Sequence, residues 1–104
     1  MARQIETNIS QECLKLLDNL IDQGFPIYYE HRSGSGGFNY KKGIPDMFIV
    51  INGMHVECEM KTDSGRRSPM QEKWAMKFER LGVKYICPKS FVEFRDYIMS
   101  LLKN

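Results

Sequence analysis

Asn52-Gly53, set between Met47-Phe48-Ile49-Val50-Ile51 and Met54-His55-Val56-Glu57-Cys58, constrains the fold of this chain more than any other pair of residues. A two-residue type I′ turn needs positive φ at both central positions, and Asn-Gly accepts that conformation readily. With those two residues as the loop, the register follows: Ile51 faces Met54, Ile49 faces Val56, Met47 faces Cys58, and one step further Asp46 faces Glu59. Alternation then gives one apolar face, Met47, Ile49 and Ile51 against Met54, Val56 and Cys58, which belongs in a core. The other face carries Asp46, Phe48 and Val50 against Glu59 and Glu57, with Lys61 two residues past Glu59 on the same side. Directly opposed carboxylates have Cβ atoms roughly 4.5–5.5 Å apart and repel unless a proton or cation lies between them. A divalent metal would resolve that repulsion. A polar strand face is ordinarily a solvated one; here it is shared with Phe48 and Val50, and its acids lie at the end of the hairpin away from the turn.

The 104 residues, 42% apolar and 27% charged, fit one globular domain spanning residues 1–104. No stretch approaches the ~18 apolar residues of a membrane span, and Met1 to Ile9 lacks an apolar signal region, so a cytoplasmic location is expected. Cys13, Cys58 and Cys87 are odd in number and widely spaced, which favours buried reduced thiols over disulfides. His31 and His55 complete no Cys/His zinc spacing. A net charge of +2 is too small to indicate nucleic-acid binding, so local clusters must carry that argument.

A first helix, capped by Asn8 or Ser10 and ended at Gly24, would turn Ile9, Cys13, Leu16, Leu17, Leu20 and Ile21 inward. Ile27 to His31 reads as a strand. The glycine-rich segment from Arg32 to Gly43 places Arg32, Lys41 and Lys42 with Phe38 and Tyr40 just before Asp46, cations suited to phosphates and rings suited to an unpaired base. It lacks the Gly-Lys-Ser/Thr of a phosphate-cradling loop. Ser68-Pro69-Met70-Gln71 opens a helix with an N-cap, a proline at the first turn and Gln71 at the capping-box position. Its Met70, Trp74, Phe78 and Leu81 form an apolar stripe expected to face the core, and its N-terminus beside Arg66 and Arg67 suits a phosphate. Gly82 ends it. Val83 to Cys87 is a strand, and Ser90 to Glu93 caps a last helix with Phe91, Phe94, Ile98, Leu101 and Leu102 inward. The order α-β-β-β-α-β-α implies an α/β fold whose mixed sheet combines the antiparallel hairpin with a parallel crossover.

Pro45-Asp46 followed by Glu59-Met60-Lys61 resembles the PD-(D/E)xK nuclease signature. The longer context, Gly43-Ile44-Pro45-Asp46, Glu59-Met60-Lys61, Gly65-Arg66-Arg67-Ser68-Pro69-Met70-Gln71 and Trp74, resembles the VRR-NUC (virus-type replication-repair nuclease) family over about Glu12 to Phe94. The resemblance implies a restriction-endonuclease-like core and a metal-dependent DNA endonuclease in which Asp46 and Glu59 hold Mg²⁺ or Mn²⁺ through hard oxygen donors. It implies an additional acidic ligand from the first helix, for which Glu12 is carried over, with Glu6 and Glu30 as alternatives. Lys61 would position or help deprotonate the attacking water, Gln71 would lie near the site, and hydrolysis would leave a 5′-phosphate. Stand-alone members similar to this chain imply a phage or prophage origin, a homodimer and branched DNA such as four-way (Holliday) junctions. Two alternatives remain, a catalytically silent DNA-binding module of the same fold and a phage interaction protein. The full set of Asp46, Glu59 and Lys61 argues against both.

Overall fold

A computed structural model of the chain describes residues 2–32, 44–60 and 68–103. Its elements run α1 (Ala2–Asp22), β1 (Ile27–His31), β2 (Met47–Ile51), β3 (Met54–Cys58), α2 (Pro69–Arg80), β4 (Lys84–Ile86) and α3 (Phe91–Leu102). The strands form one sheet in the order β1-β2-β3-β4, antiparallel across the first two pairings and parallel at the third. The α-β-β-β-α-β-α order and the mixed sheet are those read from the sequence.

The hairpin has the anticipated register, with Met47 opposite Cys58, Ile49 opposite Val56 and Ile51 opposite Met54. Asn52 at φ 53° and Gly53 at φ 81° supply the two left-handed positions of the turn. Its tip is tied down on both sides: Asn52 Nδ2 donates to the Leu101 carbonyl of α3 at 3.2 Å, and Asn52 N–H to the Pro26 carbonyl at 3.0 Å. The apolar strand face meets α1 and α3, and Cys13, Leu17, Met47, Ile49, Ile51, Val56, Cys58, Phe94 and Ile98 are fully buried where the sheet meets these two helices. Tyr29 of β1 donates its hydroxyl to Asp18 of α1 at 2.8 Å, fixing the helix to the sheet edge. Cys13, Cys58 and Cys87 form no disulfide.

Two elements depart from expectation. Helix α1 begins at Ala2 rather than at an Asn8 or Ser10 cap. Ala2, Arg3, Gln4 and Glu6 are good helix formers, and a cap-type residue permits a helix start without imposing one. Its end is as expected: Gly24 at φ 97° lets Phe25 N–H reach the Leu20 carbonyl at 3.1 Å and Gly24 N–H the Ile21 carbonyl at 2.9 Å, a Schellman closure. The stripe on α2 is not core. None of its residues is buried, Met70 is 40% exposed, and Leu81 just beyond its end is 66% exposed. This helix packs on β4, through stacking of Phe78 on Tyr85 and of Trp74 on Phe78, and an edge strand of three residues is too narrow to cover a full helical face.

Candidate active site

Asp46 immediately precedes β2 and Glu59 immediately follows β3, flanking the Met47–Cys58 pair at the end of the hairpin away from its turn. Glu59 is 5% exposed, and its backbone N–H continues the parallel pairing by donating to the Ile86 carbonyl at 2.9 Å. Asp46 Oδ2 accepts from the Met60 backbone N–H at 2.8 Å, so one carboxylate is fixed by the strand that carries the other.

Gln71 joins the pair through the start of α2. Its Oε1 accepts from Ser68 N–H at 2.8 Å while its own N–H donates to Ser68 Oγ at 3.2 Å, a complete capping box. That leaves the amide Nε2 to donate, and it does so to Glu59 Oε2 at 3.1 Å. Only this orientation of the amide satisfies both partners, since a backbone N–H needs an acceptor and a carboxylate a donor. The capping and site roles of Gln71 are thus two ends of one side chain.

Beneath this row lies a second one. Glu30, Phe48, Glu57 and Tyr85 face one another across the four strands. Glu57 is 2% exposed and takes a forked ion pair from Arg32, with Nη1 to Oε1 at 2.8 Å and Nη2 to Oε2 at 3.2 Å. His55 Nε2 lies 2.7 Å from the same Oε2. The guanidinium sits over the Phe48 ring, 5.2 Å from its centroid, and the His55 ring stacks on Phe48.

The site residues anticipated from the sequence fall into three groups. Asp46, Glu59 and Gln71 are brought together. Lys61, Lys41, Lys42, Arg66 and Arg67 lie outside the described residues, as do Phe38 and Tyr40. Arg32 and Glu12 lie elsewhere. Arg32, read as a solvent-facing cation for phosphates, turns inward, because buried Glu57 offers an acceptor that matches its planar fork. Glu12 is exposed on α1 and lines a depression with Lys15, Leu16, Asn19 and Phe91. Among the described residues no three Asp, Glu, His or Cys side chains gather into a metal-holding group, Glu12 with Asp46 and Glu59 included. Of the alternatives, Glu30 is exposed and accepts from the Tyr28 hydroxyl at 2.7 Å, and the Glu6 side chain lies outside the described residues. Glu57 was visible in the sequence without a role. Its signal is its place opposite Phe48, a poor neighbour for a solvated carboxylate.

Behind the acids, burial pushes the Cys58 thiol well above its usual range, and neighbouring Cys13, Asp46, Cys87 and Glu59 push the same way. Cys13 in α1 is raised from 9.0 to about 12, by burial first and then by Glu12. Both thiols are therefore inert protonated packing groups.

No family sequence model matches the chain, and no curated protein matches it in sequence. Among the solved structures that match it in shape are two VRR_NUC domains. One, described as "VRR_NUC domain protein", superposes with a TM-score of 0.76 at 17% identity, covering 95% of this chain and 88% of its own. The other, described as "VRR_NUC domain", gives 0.71 at 17% identity, covering 90% and 94%. The fold is that of the VRR_NUC domain.

The oxygen donors at Asp46 and Glu59 are of a kind that fits a hard divalent metal. Both are hard carboxylate oxygens. Met60 N–H and Gln71 Nε2 orient them as neutral donors, which hold a carboxylate in place without cancelling its charge. Mg²⁺ in particular is bound by one or two carboxylates with water and substrate phosphate completing its shell, a donor set that a carboxylate pair matches. A separate cavity of about 430 Å³ under α2, lined by Ala75, Glu79, Val83 and Tyr85, is not lined by either acid.

Proposed function

We propose that this chain is a VRR-NUC-type, Mg²⁺- or Mn²⁺-dependent DNA endonuclease that hydrolyses phosphodiester bonds, with branched DNA as its preferred substrate and a homodimer as its working form. The observation that carries the reading is the joining of Asp46, Glu59 and Gln71 at one end of the β2–β3 hairpin, each held by a specific hydrogen bond.

Asp46 and Glu59 would hold the ion. When bound, it supplies Lewis-acid stabilisation of the phosphoryl charge and lowers the pKa of a coordinated water. Gln71 keeps Glu59 in one rotamer, tethering it to the N-terminus of α2. That helix end carries partial positive charge and favours a phosphate nearby. Lys61 would position the attacking water or take its proton, and offset charge on the phosphate. Lys41, Lys42, Arg66 and Arg67 would neutralise flanking phosphates, giving affinity that falls with salt. A dimer with two-fold symmetry would bring two such sites to two strands of one junction.

The test is incubation of labelled four-way junction, flap and linear duplex with Mg²⁺, Mn²⁺ or EDTA, alongside a measurement of solution mass. Metal-dependent cutting establishes the endonuclease, and paired symmetric nicks in the junction by a species of twice the chain mass establish the rest. Metal-independent cutting, or none on any substrate, sinks the reading. Equal cutting of linear duplex by a monomer leaves a general nuclease.

A further inference from the structure

Among the described residues, the closest-knit polar cluster apart from the acids is Arg32, Glu57 and His55, and its hydrogen bonds lead to the backbone of Pro45 and Asp46. Arg32 contributes two of them from one residue. Its backbone N–H donates to the Asp46 carbonyl at 2.6 Å, and its Nη1 donates to the Pro45 carbonyl at 2.9 Å while also holding Glu57. The Arg32 side chain is 14% exposed and that of Glu57 2%. A buried ion pair of this kind is a poor source of stability, because the desolvation of two charges offsets their attraction; its clearest use is to fix geometry. Here the fixed object is identifiable. The two successive carbonyls of Pro45 and Asp46 are both gripped, and Asp46 then reaches Met60 N–H with its carboxylate.

We propose that Glu57, acting through Arg32, is a positioning residue that sets the Asp46 carboxylate against Glu59. The chain of contacts is continuous: Glu57 locks the guanidinium fork, the fork and the Arg32 amide hold the Pro45–Asp46 backbone, and that backbone aims the side chain. Phe48 completes the seat, its ring lying against the guanidinium on one side of the sheet, and His55 braces Glu57 from the next row. Planarity matters as much as charge. A lysine ammonium at position 32 could satisfy Glu57 or the Pro45 carbonyl but has no fork to hold both in a plane.

The consequence for metal binding rests on the nuclease reading above, whereas the consequence for the Asp46–Met60 bond does not. Two readouts therefore separate them: amide hydrogen exchange of Met60, which reports whether Asp46 Oδ2 is in place, and the affinity for Mn²⁺ by calorimetry. The proteins compared are the natural chain, Glu57→Gln, Arg32→Lys, and the double variant Arg32→Met with Glu57→Met, which leaves no unpaired buried charge and so guards against simple unfolding.

In all three variants Met60 exchange should quicken tenfold or more while amides within the β2–β3 ladder stay within twofold, and Mn²⁺ affinity should drop at least fivefold. DNA affinity in EDTA should hold within twofold. Unchanged Met60 exchange in the folded variants overturns the proposal, as does equal loss of protection through the ladder, which marks a general structural role. Natural-like behaviour of Arg32→Lys also overturns it, since charge alone would then suffice. If the natural chain binds no Mn²⁺, the nuclease reading falls, and Met60 exchange still decides whether the clamp aims Asp46.

Discussion

Asp46 spends one oxygen on Met60 N–H, which determines what its amide analogue can do. Asp46→Asn keeps an oxygen for Met60 yet removes the charge a metal needs, and Glu59→Gln does the same beside Gln71. Each should lower single-turnover cleavage on the order of 100-fold or more, weaken Mn²⁺ binding in calorimetric titration, and leave the unfolding midpoint nearly unchanged, because both relieve repulsion between neighbouring carboxylates. Undiminished binding and cutting in both variants would remove the pair from the mechanism. Lys61→Ala should lose most turnover in the same assay while retaining DNA affinity. Asp46, Glu59 and Gln71 were legible because a hairpin register and a capping box are local rules, each fixed within a few residues. Arg32 was not. A cation beside a glycine-rich stretch reads as solvent-facing, and only the burial of a glutamate on another strand, 25 residues away, reveals that its fork is already engaged.

Helix α2 shows how an element can be readable in outline and misread in its packing. Its start and stop obey sequence rules, from the Ser68 cap to the closure at Gly82, where Val83 N–H reaches the Phe78 carbonyl at 2.9 Å. Which neighbour it meets is a matter of sheet order, and β4 being an edge strand leaves its stripe half covered. Helix α1 errs oppositely, its packing face read correctly except at Ile21, which is exposed near the helix end, and its start placed too late. The double duty of Gln71 allows the two roles of α2 to be separated. Ser68→Ala removes the hydroxyl but leaves Gln71 able to reach both Ser68 N–H and Glu59, so it should cost about 1 kcal/mol in a urea titration and little activity. Gln71→Leu removes the tether itself and should reduce the cleavage rate by more than the stability loss accounts for, seen as a fall in rate under single-turnover conditions at a temperature where both variants are fully folded.

For the molecule as a whole, the two core thiols make stability depend on alkaline pH. An acid held above its ordinary pKa in the folded chain keeps its proton there after the unfolded chain has released it, so the protection is complete below about pH 9 and is lost as pH climbs from there towards about 12. Cys58 acts with the same sign. Urea midpoints measured from pH 8 to 11 should therefore fall, and Cys13→Ala with Cys58→Ala should flatten that slope even while lowering the midpoint at pH 8; an identical slope in the variant would refute the assignment. The arrangement of the chain adds something the individual contacts do not. Every side chain so far shown bonded to the acids or to their clamp, from Arg32 to Gln71, belongs to one continuous middle stretch, while the helices nearest the two ends of the sequence lie against each other beneath the sheet. The molecule is thus a tool set in a clasp, the tool written in the middle of the text and the clasp at its margins. Damage to the margins loosens the grip as a whole, and loss of a polar side chain from the middle blunts the edge while the grip holds.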